Sequence, residues 1–84
     1  MELENKIYLL SGTNCMQCAA LKPIFYSEVD EDATKEVNVD KEPDIAINLG
    51  VMSVPTIVDN REGKEELYTG AGPCMQYVTE IYKK

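Results

Sequence analysis

Apolar positions along the chain switch between a strand-like and a helix-like spacing, and the switches mark the elements. Ile7-Tyr8-Leu9-Leu10 is a short unbroken apolar run, as expected of a strand covered on both faces, so Lys6 to Ser11 is predicted as the first strand. Gly12-Thr13-Asn14 is its turn. From Met16 to about Asp30 the positions Ala19, Ala20, Leu21, Ile24, Phe25 and Val29 recur at helical spacing. Pro23 falls inside that segment, and because an interior proline removes a backbone hydrogen bond at a cost of roughly 3 kcal/mol, a kink is expected there. Asp30-Glu31-Asp32 closes the helix, and Thr34 to Asp40 alternates like a second strand. The β-α-β unit so formed should cross over right-handed and pair in parallel. Pro43 suits the first turn of a short helix that runs to Leu49 and stops at Gly50. Thr56 to Asp59 is a third strand, Asn60-Arg61-Glu62-Gly63 a hairpin turn, and Lys64 to Thr69 a fourth strand antiparallel to the third. Gly70-Ala71-Gly72-Pro73 should break the chain before a last helix whose inward face uses Val78, Ile81 and Tyr82. The order β-α-β-α-β-β-α describes an α/β fold with a mixed four-stranded sheet and helices on both faces.

Size and charge narrow the function. At 84 residues the chain is expected to be a single domain, 1–84, and one this small hides only about 60–65% of the surface its unfolded chain exposes. No apolar run approaches the length of a membrane span, and the acidic start Met1-Glu2-Leu3-Glu4 lacks the apolar stretch of a signal peptide, so a cytoplasmic protein is expected. The net charge of −7, with eight basic residues scattered rather than clustered, argues against nucleic acid as a ligand, since phosphate contacts need a basic patch. With no histidine, imidazole acid–base catalysis and His-containing metal sites are excluded.

The candidate chemistry sits in Thr13-Asn14-Cys15-Met16-Gln17-Cys18. A strand, a tight turn and a helix in that order put Cys15 at a helix N-terminus, where free backbone N–H groups favour negative sulfur, and Cys18 one turn later on the same face. Such a pair is a redox dithiol, two buried thiols, or half of a zinc site; the last needs about four ligands, for which only Cys74 and carboxylates remain. A Cys-x-x-Cys metal-binding or metal-delivery module is therefore the alternative of a different class. An odd count of three cysteines fits a working pair plus one further thiol in a reducing compartment. Cys74 reads as a semi-buried small residue at the start of the last helix, with a regulatory thiol as the rival. Lys22, on roughly the same helical face as the pair, reads first as a solvated lysine, with stabilisation of a thiolate as the rival. Tyr8, Tyr26, Tyr68, Tyr77 and Tyr82 are expected at the core edge.

Several separated stretches then agree with one family. Cys15-Met16-Gln17-Cys18, Pro23 five places later, Val39-Asp40-Lys41-Glu42-Pro43-Asp44-Ile45-Ala46, Gly50-Val51-Met52-Ser53-Val54-Pro55-Thr56, Gly63 and Gly70 follow the order and spacing of the thioredoxins, so the chain resembles a short, glutaredoxin-sized member of the thioredoxin-like family. The resemblance implies the thioredoxin fold and a dithiol–disulfide oxidoreductase that needs no cofactor or metal beyond its own Cys15–Cys18 disulfide. By the same resemblance Cys15 is the attacking thiolate, Cys18 the resolving thiol, and Pro55 a cis-proline that leaves the backbone of Val54 open to a substrate strand. Asn14, Met16 and Gln17 complete the docking surface. The implied partners are disulfide-containing proteins, and a thioredoxin reductase-type donor or glutathione, with the chain acting as a monomer. The chain also departs from the family. Asn14 and Met16-Gln17 stand where thioredoxins have Trp and Gly-Pro, and Leu9 replaces their buried aspartate six places before the first cysteine, leaving no proton acceptor assigned to Cys18. The Cys-x-Gln-Cys pair is similar to redoxins that donate electrons to ribonucleotide reductase. A glutathione-dependent glutaredoxin is the alternative of the same chemistry, although Gly72-Pro73-Cys74-Met75 stands where an acidic pair would bind glutathione.

Overall fold

A computed structural model describes residues 5–61 and 65–82. The first strand, β1 (Ile7–Ser11), is buried along its whole length, as its unbroken apolar run requires. It lies between a parallel β2 (Thr34–Asn38) and an antiparallel β3 (Thr56–Asp59), and β3 pairs in turn with an antiparallel β4 (Glu66–Thr69), giving the order β2-β1-β3-β4. This is the mixed sheet expected from the sequence, with the two most apolar strands in its centre. The second strand is shorter than its alternating pattern suggested: Val39 and Asp40 leave the ladder, although the Val39 amide still reaches Ser11 O at 2.8 Å. Glu62, Gly63 and Lys64, to which part of the hairpin and the start of the fourth strand were assigned, lie outside the described residues.

Alternate residues of β1 build two cores. Ile7 and Leu9 pack with Ile57 against Leu21, Phe25, Val29, Cys74, Tyr77 and Val78 of α1 (Met16–Glu28), α3 (Ala71–Gln76) and the chain that follows each. On the other face Tyr8 and Leu10 join Val37 and Val58 beneath Ile45 and Leu49 of α2 (Pro43–Leu49). Each helix therefore lies on the face its apolar residues can cover. Gly50 ends α2 in the left-handed region at φ 73°, a conformation that favours glycine.

The helix faces differ from the periodic reading in instructive ways. In α1 the buried positions are Cys18, Leu21 and Phe25, so a cysteine supplies the first residue of the inward stripe, while Ala19 and Ala20 are exposed and Ile24 stands at the margin. The helix runs through Pro23, and a one-turn 3₁₀ segment, Glu31–Ala33, carries the chain to β2. The last helix begins before Gly72 and Pro73 rather than after them. Within a first turn a proline forfeits no intrahelical bond, so Pro73 is tolerated there. From Tyr77 to Ile81 the coil widens to a π-helical turn, which moves Ile81 outward and leaves Cys74, Tyr77 and Val78 as the buried residues. Tyr77 and Tyr8 are core residues, not edge residues. The Tyr77 hydroxyl is satisfied by donating to Asp59 Oδ2 at 2.8 Å, and Arg61 grips the same carboxylate with two nitrogens while lying over the Tyr82 ring.

Candidate active site

At the C-terminal end of β1 the chain turns through Gly12, Thr13 and Asn14 and enters α1 with Cys15 as the N-cap, its backbone extended at φ −113° and ψ 103°. Cys15 and Cys18 form a disulfide, their Cα atoms 5.2 Å apart, as helix positions one turn apart allow. The Cys18 amide donates to Cys15 Sγ at 3.0 Å. That amide is one of the free N–H groups of the first helical turn, so in the reduced protein it is placed to stabilise charge on Cys15. The two sulfur residues are not equivalent: Cys15 is half-buried, whereas Cys18 is 2% exposed and belongs to the core stripe of α1.

Val54 and Pro55 come from the loop between α2 and β3, and the peptide between them is cis. Gly12 shows where this loop meets the cysteines. A Cβ on Gly12 would lie 3.2 Å from Val54 Cγ2, tighter than ordinary packing, and at ordinary contact distance from Asp40 Oδ2 (3.4 Å) and Cys15 Cβ (3.9 Å), so glycine eases the approach of the Val54 loop. Pro55 is held from behind. Its carbonyl accepts from the Gly70 amide at 2.8 Å and from the Cys74 thiol at 3.5 Å, and the thiol also reaches Tyr68 O at 3.2 Å. Cys74 is fully buried and burial pushes its thiol up to about 11, so it stands behind the Val54-Pro55 loop as a neutral residue, deeper than the semi-buried position expected of it.

Asn14, Met16 and Gln17 are exposed around the disulfide, Met16 at 88%. Beside Val54, a groove of about 330 Å³ is lined by Asp40, Pro43, Ile47, Met52 and Val54. Met52 and Ile47 on its border are 97% and 71% exposed, an unusual amount of apolar surface in so acidic a chain.

Lys22 does not serve the cysteines. Its ammonium pairs with Glu36 Oε2 at 2.7 Å, and Glu36 also accepts from Tyr26 and Ser11. Burial alone would push the Glu36 carboxyl up, but the hydrogen bonds from Lys22 and Tyr26 outweigh it and hold the group below its ordinary value. The sequence reading missed two features of the site, the close approach at Gly12 and the clamp on the turn before Cys15. In the clamp Asp40 Oδ2 accepts from the Thr13 amide at 2.7 Å, while Asn38 Nδ2 reaches Thr13 Oγ1 at 3.3 Å. A signal existed: Asn38 ends and Asp40 follows a strand parallel to β1, and side chains at the carboxyl ends of parallel strands meet at a common crevice. Among the described residues no group of three or more His, Cys, Asp or Glu is arranged to hold a metal ion. No helix among them is long and apolar enough to cross a membrane.

No protein-family model matches the chain. It is 37% identical over 65 residues to thioredoxin-like protein 1 of Schizosaccharomyces pombe, a match covering 70% of this chain and 22% of that protein, so the chain spans about a fifth of the relative's length. Its fold is similar to mitochondrial thioredoxin 3 from Saccharomyces cerevisiae in the oxidized form, with a TM-score of 0.67 at 27% identity over 80% of this chain and 67% of the other. A thioredoxin from Nicotiana alata is similar at a TM-score of 0.62 and 29% identity, covering 83% and 66% of the two chains.

Proposed function

Since the chain is thioredoxin-like in both sequence and fold, we propose that it is a dithiol–disulfide oxidoreductase that reduces protein disulfides through Cys15 and Cys18. The observation that carries this reading is the asymmetry of the pair: a half-exposed sulfur at a helix N-cap, receiving a backbone N–H, is bonded to a sulfur buried in the core stripe. In the reduced protein the Cys15 thiolate attacks one sulfur of a partner disulfide and the other partner sulfur leaves as a thiol, taking a proton from water. Cys18 then loses its proton and attacks Cys15 Sγ, which forms the Cys15–Cys18 disulfide and releases the partner's second thiol. Two electrons pass to the partner in one cycle.

Half-buried Val54 supplies a backbone edge for an extended substrate segment, Pro55 lies fully buried behind that edge and supports it, and Asn14, Met16 and Gln17 frame it. Exposed Met16 beside the disulfide, and Ile47 and Met52 bordering the groove beside Val54, favour substrates with apolar side chains near the target disulfide, while the net charge of −7 disfavours acidic ones. We take residues 1–84 as one domain that works as a monomer in a reducing compartment such as the cytoplasm. A thioredoxin reductase-type enzyme is the proposed donor, and ribonucleotide reductase is one acceptor the Cys-x-Gln-Cys pair suggests. A glutathione-dependent reading has less support, because the first turn of α3 offers Gly72, Pro73 and a buried Cys74 where it needs acidic groups.

The test is turnover of a protein disulfide with NADPH and a thioredoxin reductase, against glutathione with glutathione reductase. Faster turnover in the first arm supports the proposal, rapid reduction by glutathione alone replaces it with the glutaredoxin reading, and stoichiometric Zn(II) or Cu(I) binding without turnover in either refutes both.

A further inference from the structure

Asp40 is the charged residue that meets Cys15 at Gly12. Its Oδ2 and Cys15 Cβ both lie within 4 Å of the Gly12 Cβ position, which puts the carboxylate oxygen no more than about 7 Å from that carbon. The carboxylate is held in place. It accepts from the Thr13 amide at 2.7 Å, the Asp40 amide donates to Asn38 Oδ1 at 2.9 Å, and Asn38 in turn reaches Thr13 Oγ1. The chain neighbours of Cys15, Thr13, Asn14, Met16 and Gln17, are neutral, as is Val54, which meets it at Gly12 from the facing loop. The nearest cation on α1, Lys22, is engaged by Glu36.

We infer that Asp40 is a positioning and charge-setting residue for Cys15: its carboxylate fixes the turn that delivers the sulfur to the helix N-terminus and opposes the thiolate formed there. This rests on the oxidoreductase reading for its purpose, but Cys15 titrates whether or not the protein turns over a substrate. The two effects on the sulfur are opposed. The Cys18 amide and helix N-terminus stabilise the thiolate, and Asp40 gives part of that stabilisation back. A less stable thiolate is intrinsically the stronger nucleophile, and a less stable reduced form has the lower potential, so Asp40 biases the pair toward donating electrons.

Asparagine at position 40 retains an oxygen for the Thr13 amide and removes the charge, which separates the two roles. The measurement is the pH dependence of iodoacetamide alkylation at Cys15 in the reduced full chain, followed by mass spectrometry. Asp40→Asn is expected to lower the apparent Cys15 pKa by about half a unit to one and a half units, the range for a unit charge near 7 Å between protein-like and water-like screening. Glu28→Gln is the control. It removes the same charge from the far end of α1, roughly 18 Å away and beyond the Debye length at 0.1 M salt, and should shift the value by less than about 0.2 unit. An unchanged or higher value in Asp40→Asn, or an equal shift in Glu28→Gln, overturns the charge-setting role. For the positioning role, Asp40→Ala should lower kcat/KM on a protein disulfide several-fold below Asp40→Asn, and equal values overturn it. Loss of turnover in the unsubstituted protein would instead count against the oxidoreductase reading and leave the titration comparison standing.

Discussion

Replacing Leu9 with aspartate would put an acid where the thioredoxins carry one, and in this chain it should damage the protein rather than improve it. Leu9 is 1% exposed and packs with Leu21 and Phe25 of α1. Its register partner on β2 is Glu36, which faces the same helix through Lys22 and Tyr26. Losing a buried leucine's packing costs about 2–5 kcal/mol. A carboxyl in that apolar site, beside an existing carboxylate, has its pKa raised, and each unit of rise toward neutrality adds about 1.4 kcal/mol at pH 7. With a rise of about one and a half units, which adds about 2 kcal/mol, the sum is about 4–7 kcal/mol, comparable to the whole stability of a domain this small. The sign with pH follows from the raised folded value: the folded state binds the proton more tightly, so the variant regains stability as pH falls from 7 toward 5. Urea unfolding followed by circular dichroism at both pH values measures this, with Leu9→Asn as the uncharged control that loses packing but shows no such recovery. A Leu9→Asp protein within about 1 kcal/mol of the parent at pH 7 would refute the reasoning, because it would mean the site is wet or able to repack.

Other expectations follow from the same interactions. Alkaline pH should destabilise the fold: burial first, and nearby carboxylates second, push Tyr26 and Tyr68 up to about 12, and burial raises Cys74 to about 11, so their contribution is present below the ordinary values and lost as pH rises through the folded ones. At the acid end burial raises Asp59, but hydrogen bonds from Arg61 and Tyr77 outweigh it and hold the carboxyl below its ordinary value; that contribution is lost as pH falls below about 4, and Tyr77→Phe should make the loss shallower in an acid titration of urea midpoints. Cys74→Ala should cost about 1–2 kcal/mol in the same unfolding assay, and alkylation of the oxidised native protein at neutral pH should label no thiol until denaturant is added.

Much of this architecture was legible because local rules and tertiary packing agree. The apolar run of β1 and the Pro43 start and Gly50 stop of α2 each carry a local signal that the fold keeps, while the cis peptide at Pro55 was legible only through the resemblance to the thioredoxins. Where the reading failed, packing overrode the pattern. The apolar spacing of α1 marks a helix without saying which residues are covered; that is set by which side meets the sheet, and Cys18 rather than Ala19 or Ala20 is buried there. The widened turn at Tyr77–Ile81 shifts the phase of the last helix, which no periodicity of 3.6 anticipates. For Lys22 the sequence offered a solvated lysine or a partner for the thiolate, and neither includes the acid that β2 brings to it. Asp40 and Thr13 are 27 positions apart, so their clamp exists only once β1 and β2 lie side by side.

The most direct test of the central claim is a trapping experiment. Reduced Cys18→Ser is mixed with a disulfide-containing protein, and the products are resolved by non-reducing electrophoresis and mass spectrometry, with Cys15→Ser run in parallel. The account predicts that Cys18→Ser accumulates a one-to-one mixed disulfide through Cys15 that dithiothreitol dissolves, because Cys15 attacks and nothing remains to resolve the bond, while Cys15→Ser forms none. Equal, slight losses of reductase activity in both variants, with no trapped species in either, would contradict it.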